Sequence, residues 1–248
     1  MSTLILALAA GAVIGLALGA LGGGGSVLAV PALIYLLGFT PAAATTASLI
    51  IVTATSATAL YTHATSGNVR WKTGILFAAA GIVPAIAAAT LATRLPEAVL
   101  TAAFAAIAAL AALRMLKPPH PEQQPRPVRP ARAAGAGAGL GAVTGFLGVG
   151  GGFLAVPSLV GVLGLRMRAA VGTSLLVITV NSLAALAARA GTSTPLDWTV
   201  IAPFTGAAIL GAWDGKRLAS KISGPTLQRI FAIVLLTVAA LMLTDALH

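Results

Sequence analysis

The chain has 248 residues, 58% of them hydrophobic and only 8% charged, with a mean hydropathy of +0.99. That composition excludes an ordinary soluble domain and predicts an all-α membrane protein that crosses the bilayer several times. The net charge of +10 comes from Lys and Arg in loops between apolar runs, with no basic stripe on a folded surface, which excludes nucleic acid as a partner; the absence of cysteine excludes disulfides, thiolate metal sites and a thiol nucleophile.

In chain order the apolar runs cover residues 4–21, 27–37, 42–61, 74–92 and 98–113, then 133–147, 153–165, 169–188, 200–210 and 227–243. Most approach the roughly 20 residues that a spanning helix needs, whereas the two that follow glycine clusters are shorter. The opening "MSTLILALAAGA" has no basic n-region and belongs to a repeated segment, so it reads as a retained helix rather than a leader.

Sliding the chain by 126 residues aligns "GLALGALGGGGSVLAVPAL" (15–33) with "GAVTGFLGVGGGFLAVPSL" (141–159), and 11 of the 19 positions are identical. The register continues through Gly38/Gly164, Ser48/Ser174, Thr53/Thr179 and Ser56/Ser182. After one inserted residue it runs on through Trp71/Trp198, Phe77/Phe204, Leu100/Leu227 and Phe104/Phe231. Residues 1–116 therefore form a first transmembrane repeat and residues 133–248 a second. Between them, the six prolines from Pro118 to Pro130 predict that residues 117–132 are an extended, polar, cytoplasmic linker.

The relative orientation of the halves follows from the excess of Lys and Arg in cytoplasmic loops. If each half crosses an odd number of times, all but Arg94 and Arg189 lie inside, 13 against 2; an even number gives 8 against 7. The expected fold is thus two inverted-topology repeats, each with a glycine-broken helix pair plus three transmembrane helices. Each broken pair returns the chain to the side it came from, either as two crossings or as a re-entrant hairpin.

The glycine clusters are the candidate site. Glycine destabilises a helix by about 1 kcal/mol relative to alanine, and backbone freed inside a membrane must find partners or line a protein cavity. A helix that begins at such a break offers N–H groups and roughly half a positive charge, an arrangement suited to anions. The predicted substrate contacts are therefore Gly22, Gly24, Gly25 and Ser26 in the first half, and Gly148, Gly150, Gly151 and Gly152 in the second. The spaced glycines Gly11/Gly15/Gly19 and Gly137/Gly141/Gly145 read as helix-packing positions instead.

Hydroxyls recur in "TTASLIIVTATSAT" and "VGTSLLVITVNSLA". Positions polar in both halves, Ser48/Ser174 and Ser56/Ser182, are the better candidates for a shared site, and Asn181 adds an amide that must satisfy several hydrogen bonds. No Asp, Glu or Lys stands at the centre of an apolar run. Asp214 reads as the partner of Lys216 or Arg217, His63 as an interfacial residue, and Trp71 and Trp198 as interface markers. A site neutral in its side chains and built on backbone dipoles suits an oxyanion better than a cation. No paired carboxylates, His cluster or nucleophile with a base is visible, so neither an enzyme nor a metal or cofactor is expected.

The twin motifs "GALGGGGSVLAVPAL" and "GFLGVGGGFLAVPSL", with the polar helices after them, resemble the TauE/SafE family of membrane transporters, often called sulfite exporters. The resemblance covers nearly the whole chain outside the linker and falls on Gly22, Gly24, Gly25 and Pro31 and on Gly148, Gly150, Gly151 and Pro157. It implies movement of a small anionic substrate, chiefly sulfur-containing ones such as sulfite, sulfoacetate or related organosulfonates. Val149 replaces the glycine found at Gly23, so the two turns need not be equivalent. The expectation is a multi-pass secondary transporter in the lipid bilayer of a bacterial inner (plasma) membrane, working by alternating access; a homo-oligomer is compatible with it. A passive anion channel and a non-transporting assembly subunit are the alternatives.

Overall fold

A computed structural model of the chain describes residues 2–92, 97–116, 129–147, 152–189 and 196–246. The helices are α1 (Ser2–Leu21), α2 (Gly24–Pro31), α3 (Pro41–Ala64), α4 (Trp71–Ala92), α5 (Glu97–Leu116), α6 (Pro130–Leu147), α7 (Gly152–Gly161), α8 (Met167–Ala188), α9 (Trp198–Ser220) and α10 (Gly224–Ala246). Among the described residues there is no strand. Among the described residues, five segments are long and apolar enough to cross a membrane: Thr3–Leu21, Ala42–Ala64, Trp71–Ala88, Met167–Ala187 and Gly224–Leu241.

Local chemistry sets several boundaries. Pro41 opens α3, where its missing N–H costs nothing, and the Thr40 hydroxyl accepts from the Ala43 N–H at 3.4 Å. Asp197 caps α9, its Oδ1 accepting from the Thr199 N–H at 3.0 Å. α6 starts at Pro130, inside the stretch expected to be an extended linker, because proline is tolerated in the first turn of a helix. Residues 117–128 of that stretch lie outside the described residues.

The helices after the glycine clusters are short, as expected. At 1.5 Å per residue, the 8 residues of α2 span about 12 Å and the 10 of α7 about 15 Å, against a hydrocarbon core of roughly 30 Å. Pro31 ends the regular part of α2, and the chain continues as a π turn over Ala32–Leu36.

The two halves interlock. α1 packs on α9, α4 on α6, α3 on α8, α5 on α10 and α2 on α7. The repeat equates α1 with α6 and α4 with α9, so the first two pairs are one interface formed twice. On α1, a Cβ at Gly11, Gly15 or Gly19 would run into the backbone carbonyl of Phe204, Ala208 or Ala212; on α6, a Cβ at Gly137 or Gly141 would run into that of Phe77 or Gly81. These are repeat-equivalent contacts, and they confirm the packing role of the spaced glycines except at Gly145, whose surroundings lie outside the described residues. Residue numbers rise together along both pairs, so these helices run parallel.

The central pair runs the other way. Thr46 on α3 meets Arg189 at the end of α8, Ser56 meets Thr179, and the Arg70 N–H just after α3 donates to Thr173 near the start of α8. α3 and α8 are repeat equivalents and are antiparallel where they cross. Phe77, Phe204 and Phe231 are the largest fully buried side chains, while Trp71 and Trp198 stand exposed at the starts of the equivalent helices α4 and α9.

Candidate functional site

The first glycine cluster resolves into a single sharp break. Only Gly22 takes a left-handed conformation, with φ of +72°, and its N–H closes α1 by donating to the Leu18 carbonyl at 2.8 Å. Gly23 already has helical angles and serves as the N-cap of α2. Gly24, Gly25 and Ser26 form the first turn of α2, where helix geometry leaves N–H groups without intrahelical acceptors; the surroundings of their side chains lie outside the described residues. In the second half Gly148, Gly150 and Gly151 lie outside the described residues, and Gly152 is the buried first residue of α7.

The short helices that follow the two glycine clusters meet, because α2 packs directly against α7. Gly22 is also the point where the first break meets the polar helix of the other half. A Cβ there would lie 2.5 Å from the Ser174 Oγ on α8 and 3.2 Å from Val156 on α7. Two of the predicted site residues, Gly22 and Ser174, are therefore neighbours.

The hydroxyls divide into two kinds. Ser48 donates to the Thr45 carbonyl at 2.8 Å and Ser174 to the Val171 carbonyl at 2.8 Å, both buried and both engaged with their own helix. Asn181 differs: its Oδ1 is buried with no hydrogen-bond partner among the described residues, as is the Thr53 hydroxyl. A buried polar group left unpaired costs about 1–3 kcal/mol, so these two oxygens call for an explanation beyond folding.

Three contacts around these residues were not read from the sequence. The Ser56 hydroxyl reaches Thr179 at 2.9 Å, joining α3 to α8, and the repeated pairs Thr53/Thr179 and Ser56/Ser182 were the signal that could have found it. Arg189, counted only as an outside charge, turns back so that its guanidinium donates to Thr46 at 3.2 Å. His63, expected at the interface, is buried within the protein at the end of the Ala42–Ala64 span. Its Nε2 lies 3.2 Å from the Gly19 carbonyl, and Lys216 on α9 donates to the neighbouring Thr62 carbonyl at 2.6 Å, so α1 and α9 cover the end of α3. Asp214 does pair with Arg217, at 3.6 Å, on the exposed end of α9. Among the described residues no group of three or more His, Cys, Asp or Glu could hold a metal ion.

Membrane-length helices in duplicated halves, with a short broken helix from each half meeting beside a polar crossing, define the class: a multi-pass membrane transporter. Over residues 7–242 the chain matches the family described as Sulfite exporter TauE/SafE, and it belongs to that family. It is also similar to two proteins of Xylella fastidiosa, each named Probable membrane transporter protein. The one from strain 9a5c is 34% identical over 245 residues, and the one from strain Temecula1 is 32% identical over 245 residues. In both cases the match covers 96% of this chain and 94% of the relative.

Proposed function

We propose that this transporter moves a small sulfur-containing oxyanion, sulfite or an organosulfonate, across a bacterial inner membrane by alternating access. The observation that carries the reading is the packing of α2 against α7. Each begins at a glycine cluster, and in this reading the two N-termini, one from each half, offer donor-rich, partly positive ends to a shared anion. The anion is held by first-turn N–H groups at Gly24, Gly25 and Ser26 and, by analogy of the repeat, by N–H groups of Gly150, Gly151 and Gly152. Gly22 makes the first turn, its repeat equivalent Gly148 belongs to the same site, Ser48 and Ser174 shape its walls, and Asn181 supplies the amide. The family description, Sulfite exporter TauE/SafE, supports the substrate class.

Inverted insertion of the halves is part of this reading. A two-fold axis along the membrane normal would leave equivalent helices pointing the same way where they meet. α3 and α8 are equivalent and antiparallel, which favours an axis in the membrane plane, in agreement with the distribution of Lys and Arg. Alternating access then follows from rocking one half against the other around the shared site.

The test is flux into proteoliposomes across a panel of sulfite, organosulfonates, sulfate and carboxylates. The reading expects saturable uptake, faster when the same anion is loaded on the opposite side, with sulfur oxyanions preferred. Flux that neither saturates nor responds to loading indicates a channel. No flux of any anion indicates an assembly subunit.

A further inference from the structure

We propose that the α3–α8 crossing carries a two-state hydroxyl gate, in which the pairs Ser56–Thr179 and Thr53–Ser182 form in alternation. The proposal rests on the transport reading above and names residues that switch the protein between its two faces.

The register of the repeat equates Thr53 with Thr179 and Ser56 with Ser182. The operation that exchanges the halves therefore turns the pair Ser56–Thr179 into the pair Ser182–Thr53. In the antiparallel crossing both pairs stand in the same register, three residues apart along each helix. Only one is formed. The Thr179 hydroxyl donates to the Leu175 carbonyl at 2.8 Å, which leaves its oxygen to accept from Ser56 at 2.9 Å. The Thr53 hydroxyl is buried and has no partner, although Ser182 is buried on the facing helix.

Thr53 is also unlike its neighbours on α3. Thr46, Thr55 and Thr58 each return their hydroxyl to the carbonyl four residues back, at 3.1, 2.6 and 2.9 Å. Thr53 has the same option and does not take it, so its hydroxyl is held ready for something other than its own helix. The unformed pair is flanked on both sides by formed contacts between α3 and α8, Ser56 with Thr179 at 2.9 Å and the Arg189 guanidinium with Thr46 at 3.2 Å. Rocking about the pseudo-axis breaks one neutral hydroxyl bond as it makes another of the same kind. The two states are thereby kept close in free energy, and the gate itself carries no charge.

The absence of cysteine makes the test direct. The variants are S56C/T179C, T53C/S182C and the protein carrying all four cysteines, each oxidised in membranes and read by mass spectrometry of linked peptides. Flux of sulfoacetate, which does not cleave disulfides as sulfite does, is then measured in proteoliposomes. Each pair should link, no molecule of the four-cysteine protein should carry both links, and either link should reduce flux at least tenfold until a reductant restores it. Failure of T53C/S182C to link, both links in one molecule, or normal flux through linked protein would overturn the gate. If the unmodified protein carries no sulfoacetate, that organosulfonate is not its substrate, and the exclusion of one link by the other decides the gate alone. In cysteine-free protein that carries sulfoacetate, Thr53→Ser should transport within about twofold of the parent, and Thr53→Val should lose at least tenfold in turnover with the half-saturating concentration unchanged. Normal turnover in Thr53→Val also overturns the proposal.

Discussion

Gly22, at the break between α1 and α2, lies directly against Ser174 on α8, so that a Cβ on the glycine would come within 2.5 Å of the serine oxygen. The position also has a φ of +72°, which costs a side-chain-bearing residue about 1–2 kcal/mol. Overpacking adds to that strain. Gly22→Ala should therefore destabilise the protein by about 2 kcal/mol or more, seen as a lower thermal midpoint in detergent. Adding Ser174→Ala should recover part of the loss, because the two residues share one contact. Ser174→Ala alone should cost no more than about 1 kcal/mol, the worth of its bond to the Val171 carbonyl.

Gly15 and Gly141 should be equally intolerant, although they lie in different halves. Each faces a backbone carbonyl, of Ala208 and Gly81 respectively, and a carbonyl held in a helix cannot rotate aside. Gly15→Ala or Gly141→Ala should cost about 1–3 kcal/mol as the helices are forced apart. Gly135 and Gly139, exposed on α6 with nothing within 4 Å, provide the controls. Alanine there should be neutral or stabilising by up to about 1 kcal/mol. Thermal unfolding of the four purified variants checks the pattern.

The contrast between these glycines shows how far the sequence could be read. Spacing of four residues marked Gly11, Gly15 and Gly19 as a packing stripe, because a missing Cβ matters where backbones approach. It could not name α9 as the partner, since the missing atom carries no information about its neighbour. Likewise the run of four glycines announced a break, yet only Gly22 adopts a conformation that demands glycine, and a sequence of identical letters cannot say which one. The burial of His63 was not legible because the residue ends an apolar run, where interfacial residues gather; it is the tertiary packing of α1 and α9 that covers it. Thr53 and Ser48 look alike on paper. Their difference, one hydroxyl idle and the other bonded to its own helix, depends on which rotamer the surrounding helices permit.

Asn181 should separate function from stability. Its buried Oδ1 has no partner, so Asn181→Leu removes an unsatisfied group while roughly keeping the volume. The expected result is a protein more stable by about 1 kcal/mol that has lost at least nine-tenths of its anion flux. Stability by thermal melt and flux in proteoliposomes, measured on the same preparation, check this. A variant that transports normally would remove Asn181 from the site.

The opposed insertion of the two halves is the premise of the whole account, and Thr40 with Arg166 tests it most directly. These residues are repeat equivalents, each exposed immediately before α3 or α8. With no native cysteine to give background, T40C and R166C can be labelled with a membrane-impermeant maleimide on intact cells and again after permeabilisation. Inverted halves predict that T40C reacts on intact cells and R166C only once the membrane is opened. Labelling of both from the same side would contradict the inverted arrangement, and the alternating-access mechanism built on it.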